Sequence, residues 1–149
     1  MSNNFTSGEL KSNSFKANKN KSLPIAFSES LISAGFPSSA ENFVERTLDI
    51  NDLLIKHPVS TFYIRVIGDS MINAGINTGD ILVVDRSLTI TNDKIAIVRI
   101  NNEFTVKRIN FTKDKVLLIA ENDNYQPIQI NNEMDFEIWG IVTFVIHKV

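Results

Sequence analysis

At 149 residues, with 43% hydrophobic and 21% charged side chains, the chain has material for one compact domain with its own core and a short appendage. Cysteine is absent, which excludes disulfides, thiolate nucleophiles and cysteine metal sites and fits a reducing cytosol; two histidines, His57 and His147, are too few for a histidine-rich metal site, and no cofactor is implied. A net charge of −2 without a basic stripe argues against a dominant nucleic-acid binder, and no run approaches the ~18 apolar residues of a membrane span.

The first 22 residues are Ser, Asn and Lys with isolated apolar residues, too little apolar surface to offset the entropy of ordering. They contain no apolar central region, so a secretory signal is not expected and a soluble cytoplasmic protein is. Across 1–34, four lysines against two glutamates give +2, leaving −4 for the remainder: a mildly basic arm before an acidic body. Leu23 to Ala34 is more apolar and runs into Gly35-Phe36-Pro37, which breaks regular structure and exposes backbone. Ser38-Ser39-Ala40-Glu41 reads as a helix start, with Phe43, Val44, Leu48 and Ile50 available for one buried side. DINDLLIKHP follows, and Pro58 ends that stretch.

From residue 60 the pattern becomes one of strands. TFYIRVIG, DILVVDR, KIAIVRI, EFTVKRINF, KVLLIAEN, PIQI and FEIWGIVTFVIHKV are rich in Ile, Val, Phe and Thr, and turn residues such as Asn77-Thr78-Gly79-Asp80 and Asn122-Asp123-Asn124 separate them. Strands at this spacing predict a mainly antiparallel β domain. No internal repeat and no helix-turn-helix is visible, so direct sequence-specific DNA binding is not expected.

Gly68-Asp69-Ser70-Met71 falls between a strand and a turn-rich segment. A serine there can expose its hydroxyl for attack and leave its own N–H free for an oxyanion, although most Gly-Asp-Ser tripeptides are simple turns. Neither histidine sits in a setting that suggests a triad, which leaves a lysine as the base. Lys107 is the best candidate. Period-2 alternation puts it on one strand face with Thr105 and Ile109, with Phe104 and Val106 on the other, which is also where an ordinary surface lysine would lie. To act as a base, the amine must fall from ~10.4 by roughly 3 units, and burial is the obvious cause. Asp69, Asp80 and Asp85 read as turn caps or strand ends rather than a metal cluster. Trp139 reads as core or dimer interface, and Arg86, Arg99 and Arg108 as solvated strand positions. A GDSL-type esterase would need a downstream Asp-x-x-His, which is missing, and a leader peptidase a membrane anchor.

Gly35-Phe36-Pro37-Ser38 to Ile50-Asn51, Gly68-Asp69-Ser70-Met71, Gly79-Asp80-Ile81-Leu82-Val83-Val84-Asp85 and Phe104-Thr105-Val106-Lys107-Arg108 together resemble the LexA/UmuD peptidase family in order and spacing, over essentially all of residues 30–149. The resemblance implies a LexA C-terminal-domain-like antiparallel β fold with a short N-terminal helix. It further implies a flexible arm, residues 1–34, removed from a peptidase and dimerisation domain, residues 35–149. The family's nucleophile falls on Ser70, its general base on Lys107 and its cleavage site on Ala34-Gly35. Alanine there matches the Ala-Gly bond of LexA-type repressors, whereas the UmuD type carries cysteine. Also implied are self-cleavage stimulated by RecA filaments on single-stranded DNA and a homodimeric product. That product would serve as subunit of an error-prone translesion polymerase of the UmuC-like Y family, in the SOS response to DNA damage. The alternative is a non-cleaving β-rich dimer that regulates a polymerase or RecA.

Overall fold

The computed structural model describes residues 14–16, 25–28, 32, 34–35 and 45–149. The chain divides into two compact units, residues 18–56 and a larger unit of residues 57–149 with the segment up to residue 17.

In the smaller unit, β2 (Ile25–Ser28) pairs antiparallel with β3 (Glu45–Leu48), from Ile25 opposite Leu48 to Ser28 opposite Glu45. A single short helix follows, α1 (Ile50–Leu54). The expected helix across Leu48 is therefore corrected. Residues 45–48 spend their backbone groups on strand pairing, and Asp49, in extended conformation, caps α1 by accepting the Asn51 N–H at 2.9 Å. The anticipated start at Ser38-Ser39-Ala40-Glu41, with Phe43 and Val44, lies outside the described residues.

The larger unit is one eight-stranded antiparallel sheet. Its strands are β1 (Ser14–Lys16), β4 (Thr61–Arg65), β5 (Ile81–Asp85), β6 (Ile95–Ile100), β7 (Glu103–Phe111), β8 (Val116–Ile119), β9 (Ile128–Gln129) and β10 (Phe136–Ile146). They lie in the order β1-β4-β5-β10-β6-β7-β8-β9. The seven strands expected from the sequence all form, and the polar segments between them supply the turns. Ser14–Lys16 falls within the stretch read as an arm and adds an edge strand along β4.

The longest strand, β10, joins the two halves by pairing with β5 on one side and β6 on the other. Its register slips between Ile138 and Gly140. There a Cβ on residue 140 would meet Val84 Cγ1 at 2.6 Å, so the close approach of β10 to β5 requires glycine. Alternation then builds two cores. Ile97 of β6 joins Ile64, Leu82, Val84 and Trp139 in one cluster, while Ala96 and Val98 join Ile109, Leu118 and Ile141 in the other. Leu82, Val83 and Val84 are all fully buried, consistent with an unbroken apolar run in the middle of β5. Each such side chain contributes about 1.5–3 kcal/mol on burial. Trp139 belongs to the core, edge-on to Phe62 and Phe104.

The arginines are engaged rather than simply solvated. Arg86 lies over the Trp139 ring at 4.5 Å and donates to its carbonyl. Arg99 pairs with Asp135 at 2.6 Å and Glu137 at 3.0 Å, and Arg108 with Glu121. Among the described residues, no helix is long and apolar enough to cross a membrane.

Candidate active site

β4 ends at Arg65 and the chain then turns sharply at Gly68, whose φ of +107° suits glycine and strains any other residue. Thr78 staples this turn by accepting from the Gly68 N–H at 2.9 Å and donating to the Gly68 carbonyl at 3.0 Å. Ser70 follows, half-buried, just before a 3-10 turn at Ile72–Ala74. On the Lys107 strand, β7, the side chain reaches the same place. Lys107 Nζ lies 3.2 Å from Ser70 Oγ, 2.9 Å from Thr105 Oγ1 and 3.1 Å from the Val106 carbonyl. The structure thus brings together two of the four residues singled out from the sequence. The other two, Ala34 and Gly35, are exposed and belong to the 18–56 unit.

Lys107 is only 7% exposed, and each of its three hydrogen-bond partners is neutral. Burial lowers its pKa from the ordinary lysine value, because an ammonium loses more than a neutral amine on leaving water. Beside the pair lies a cleft of about 240 Å³ with apolar walls that include Ile64, Val66, Met71, Ile97, Phe104 and Val106. A hydroxyl, an amine biased towards its neutral form and an apolar cleft beside them are the groups that acyl transfer needs.

Three contributors carry no signal of their role in the sequence. Alternation sets Thr105 on the Lys107 face, and its hydroxyl accepts from the amine. Asn122 donates to the Asp69 carbonyl at 2.9 Å, and Tyr125 donates to Asp69 Oδ1 at 2.5 Å. Both lie more than 50 positions along the chain from their partner, out of reach of any local pattern.

The remaining polar residues serve the framework. Asp80 closes its turn by accepting the Asn77 N–H at 2.8 Å and contacts His147 at 2.6 Å. Burial opposes its ionisation, but these two partners hold its carboxyl below the usual range. Asp85 ends β5 and gathers His57, Ser60 and Ser87. This Ser-His-Asp trio is not wired as a triad, since Ser60 bonds the carboxylate rather than the imidazole and so has no base.

A β domain with a serine hydroxyl on a desolvated lysine beside a cleft has the architecture of a serine peptidase. Comparison with known families agrees: the model of the Peptidase S24-like family matches residues 26–143. The chain is 41% identical over 113 residues to Protein MucA of Salmonella typhimurium, covering 75% of this chain and 77% of that protein. To Protein SamA of Salmonella typhimurium strain LT2 it is 39% identical over 115 residues, 77% of this chain and 79% of the other. To the LexA repressor of Hahella chejuensis it is 34% identical over 131 residues, 87% of this chain and 64% of the repressor. The chain belongs to the Peptidase S24-like family.

Proposed function

We propose that the chain cuts its own Ala34–Gly35 bond with Ser70 as nucleophile and Lys107 as general base, releasing residues 1–34 from residues 35–149. The observation that supports this best is the 3.2 Å contact between Ser70 Oγ and a buried lysine amine that has no carboxylate partner among the described residues. Neutral Lys107 takes the Ser70 proton as Oγ attacks the Ala34 carbonyl carbon, and the Ser70 N–H receives the developing oxyanion. The C–N bond breaks, and the proton held on Lys107 passes to the departing Gly35 nitrogen. Water, deprotonated by the same amine, then hydrolyses the Ser70 ester. Small side chains on both sides of the bond suit a narrow cleft. Tethering of substrate to enzyme makes the attack unimolecular, which supplies much of the rate.

The biological setting proposed is the one that the resemblance to the LexA/UmuD family implies. In this reading a RecA filament on single-stranded DNA favours the docked arm and speeds cleavage. The truncated product acts as a homodimeric cytoplasmic subunit of a UmuC-like Y-family translesion polymerase in SOS mutagenesis.

Mass spectrometry of the purified chain tests the chemistry, after incubation at alkaline pH or with RecA, an ATP analogue and single-stranded DNA. A new N-terminus at Gly35, missing from Ser70→Ala, is expected. A fragment released equally by Ser70→Ala would rule the dyad out.

A further inference from the structure

The peptide group between Asp69 and Ser70 is held from behind. Asn122 is 6% exposed, and its Nδ2 donates at 2.9 Å to the Asp69 carbonyl, which otherwise accepts only the longer 3.3 Å bond from the Ile72 N–H among the described residues. Its other end is fixed too, because Oδ1 accepts the Asn124 N–H at 3.0 Å. With the oxygen committed there, the amide nitrogen must face Asp69. The same loop grips the turn twice more, through Asn73 N–H to the Glu121 carbonyl at 2.8 Å and Tyr125 to the Asp69 carboxylate at 2.5 Å.

Among the described residues no peptide bond is cis, so the Asp69 carbonyl and the Ser70 N–H point in opposite directions across one rigid plane. A bond that fixes the carbonyl also fixes the N–H. Among the described residues, the Ser70 N–H donates to no acceptor, although Ser70 lines the cleft. We infer that Asn122 is a positioning residue: by anchoring the Asp69 carbonyl it aims the Ser70 N–H into the cleft, where an oxyanion would form. The inference rests on the self-cleavage reading for its catalytic consequence, but not for its geometry. Asparagine suits the task because it offers a donor to one peptide group and an acceptor to another. Aspartate offers acceptors only and would set an oxygen against the Asp69 carbonyl.

The test compares the full chain with Asn122→Asp, following fragment release between pH 7 and 11 and the 15N resonance of the Ser70 amide. Asn122→Asp keeps the acceptor for Asn124 and loses the donor but adds a negative charge, so the uncharged Asn122→Ser, too short to reach the carbonyl, is measured beside it and the pH midpoint is read from that variant. The expected result is a plateau rate about 100-fold lower, since mis-aimed oxyanion donors cost on that order. The pH midpoint, which reports Lys107, stays in place, and the Ser70 amide resonance moves. An unchanged plateau overturns the inference, as does a fall accompanied by a shifted midpoint, which would mean that Asn122 acts through packing around the lysine. If Asn122→Asp does not fold, Asn122→Ser alone is read by the same criteria. Should the parent chain itself release nothing at any pH, the self-cleavage reading fails separately. The amide resonance then decides the positioning alone, and an unmoved signal in the variant overturns it.

Discussion

Two cations on neighbouring strands of one sheet have met opposite fates. Arg99, on β6, faces Asp135 and Glu137, and those carboxylates, Asp135 foremost, push its pKa up. Lys107, on β7, is buried among two hydroxyls and a carbonyl, and its pKa falls. Both make several hydrogen bonds, so hydrogen bonding alone does not separate them. The difference is the charge of the acceptors and the access of water. A lysine's charge is disfavoured where it is buried and, among the described residues, meets no anion.

Lys107→Met breaks that contrast most completely. Fragment release should fall by at least ~10²–10⁴, the share a positioned base supplies. The same change should raise stability at neutral pH. Because the folded pKa lies below the unfolded one, the unfolded chain binds more protons in the interval between them, and stability of the parent chain rises with pH across that window. The penalty is fully present below the folded value and gone above the ordinary lysine value. Thermal melts from pH 6 to 11 should show this slope in the parent chain and a flat, higher curve in Lys107→Met.

Thr105→Asp sharpens the comparison by giving Lys107 what Arg99 has. A carboxylate within hydrogen-bond reach of the amine favours its charged form and should move the pH midpoint of cleavage up by about 1–3 units. The rate at pH 7 drops by about tenfold per unit, while the plateau at high pH largely survives. An unmoved midpoint would show that the lysine's surroundings do not set its proton affinity. At the small end, Asp135→Asn removes one partner of an exposed pair. It should leave cleavage unchanged and shift Tm by about 3 °C or less, read by calorimetry.

The strands of the larger unit were legible because each carries its own pattern, whether alternation, as in KIAIVRI, or a bare apolar run, as in ILVV, with turn residues on both sides. β3 was not, since Glu45–Leu48 contains too few residues to show a period and is defined by its partner, Ile25–Ser28, 20 positions away. For the site, alternation placed Lys107 beside Thr105, but the burial that depresses its pKa is a property of the assembled sheet. Family resemblance, not periodicity, distinguishes Ser70 and Lys107 from ordinary turn and surface residues. Asn122 and Tyr125 sit in a run of turn formers, where their types are expected for local reasons that conceal their reach to Asp69.

The short edge strand Ser14–Lys16 lies upstream of the bond proposed to be cut, yet its backbone pairs with β4 in the body. Severing residue 34 from residue 35 would leave those hydrogen bonds intact, and the liberated peptide would depart only when three ladder positions let go. Its departure would bare the β4 edge along Phe62–Ile64, an unsatisfied border onto which another extended segment can be added. Proteolysis in this molecule would thus do more than shorten a chain. It would move the sheet's edge from a three-residue strand to the longer β4.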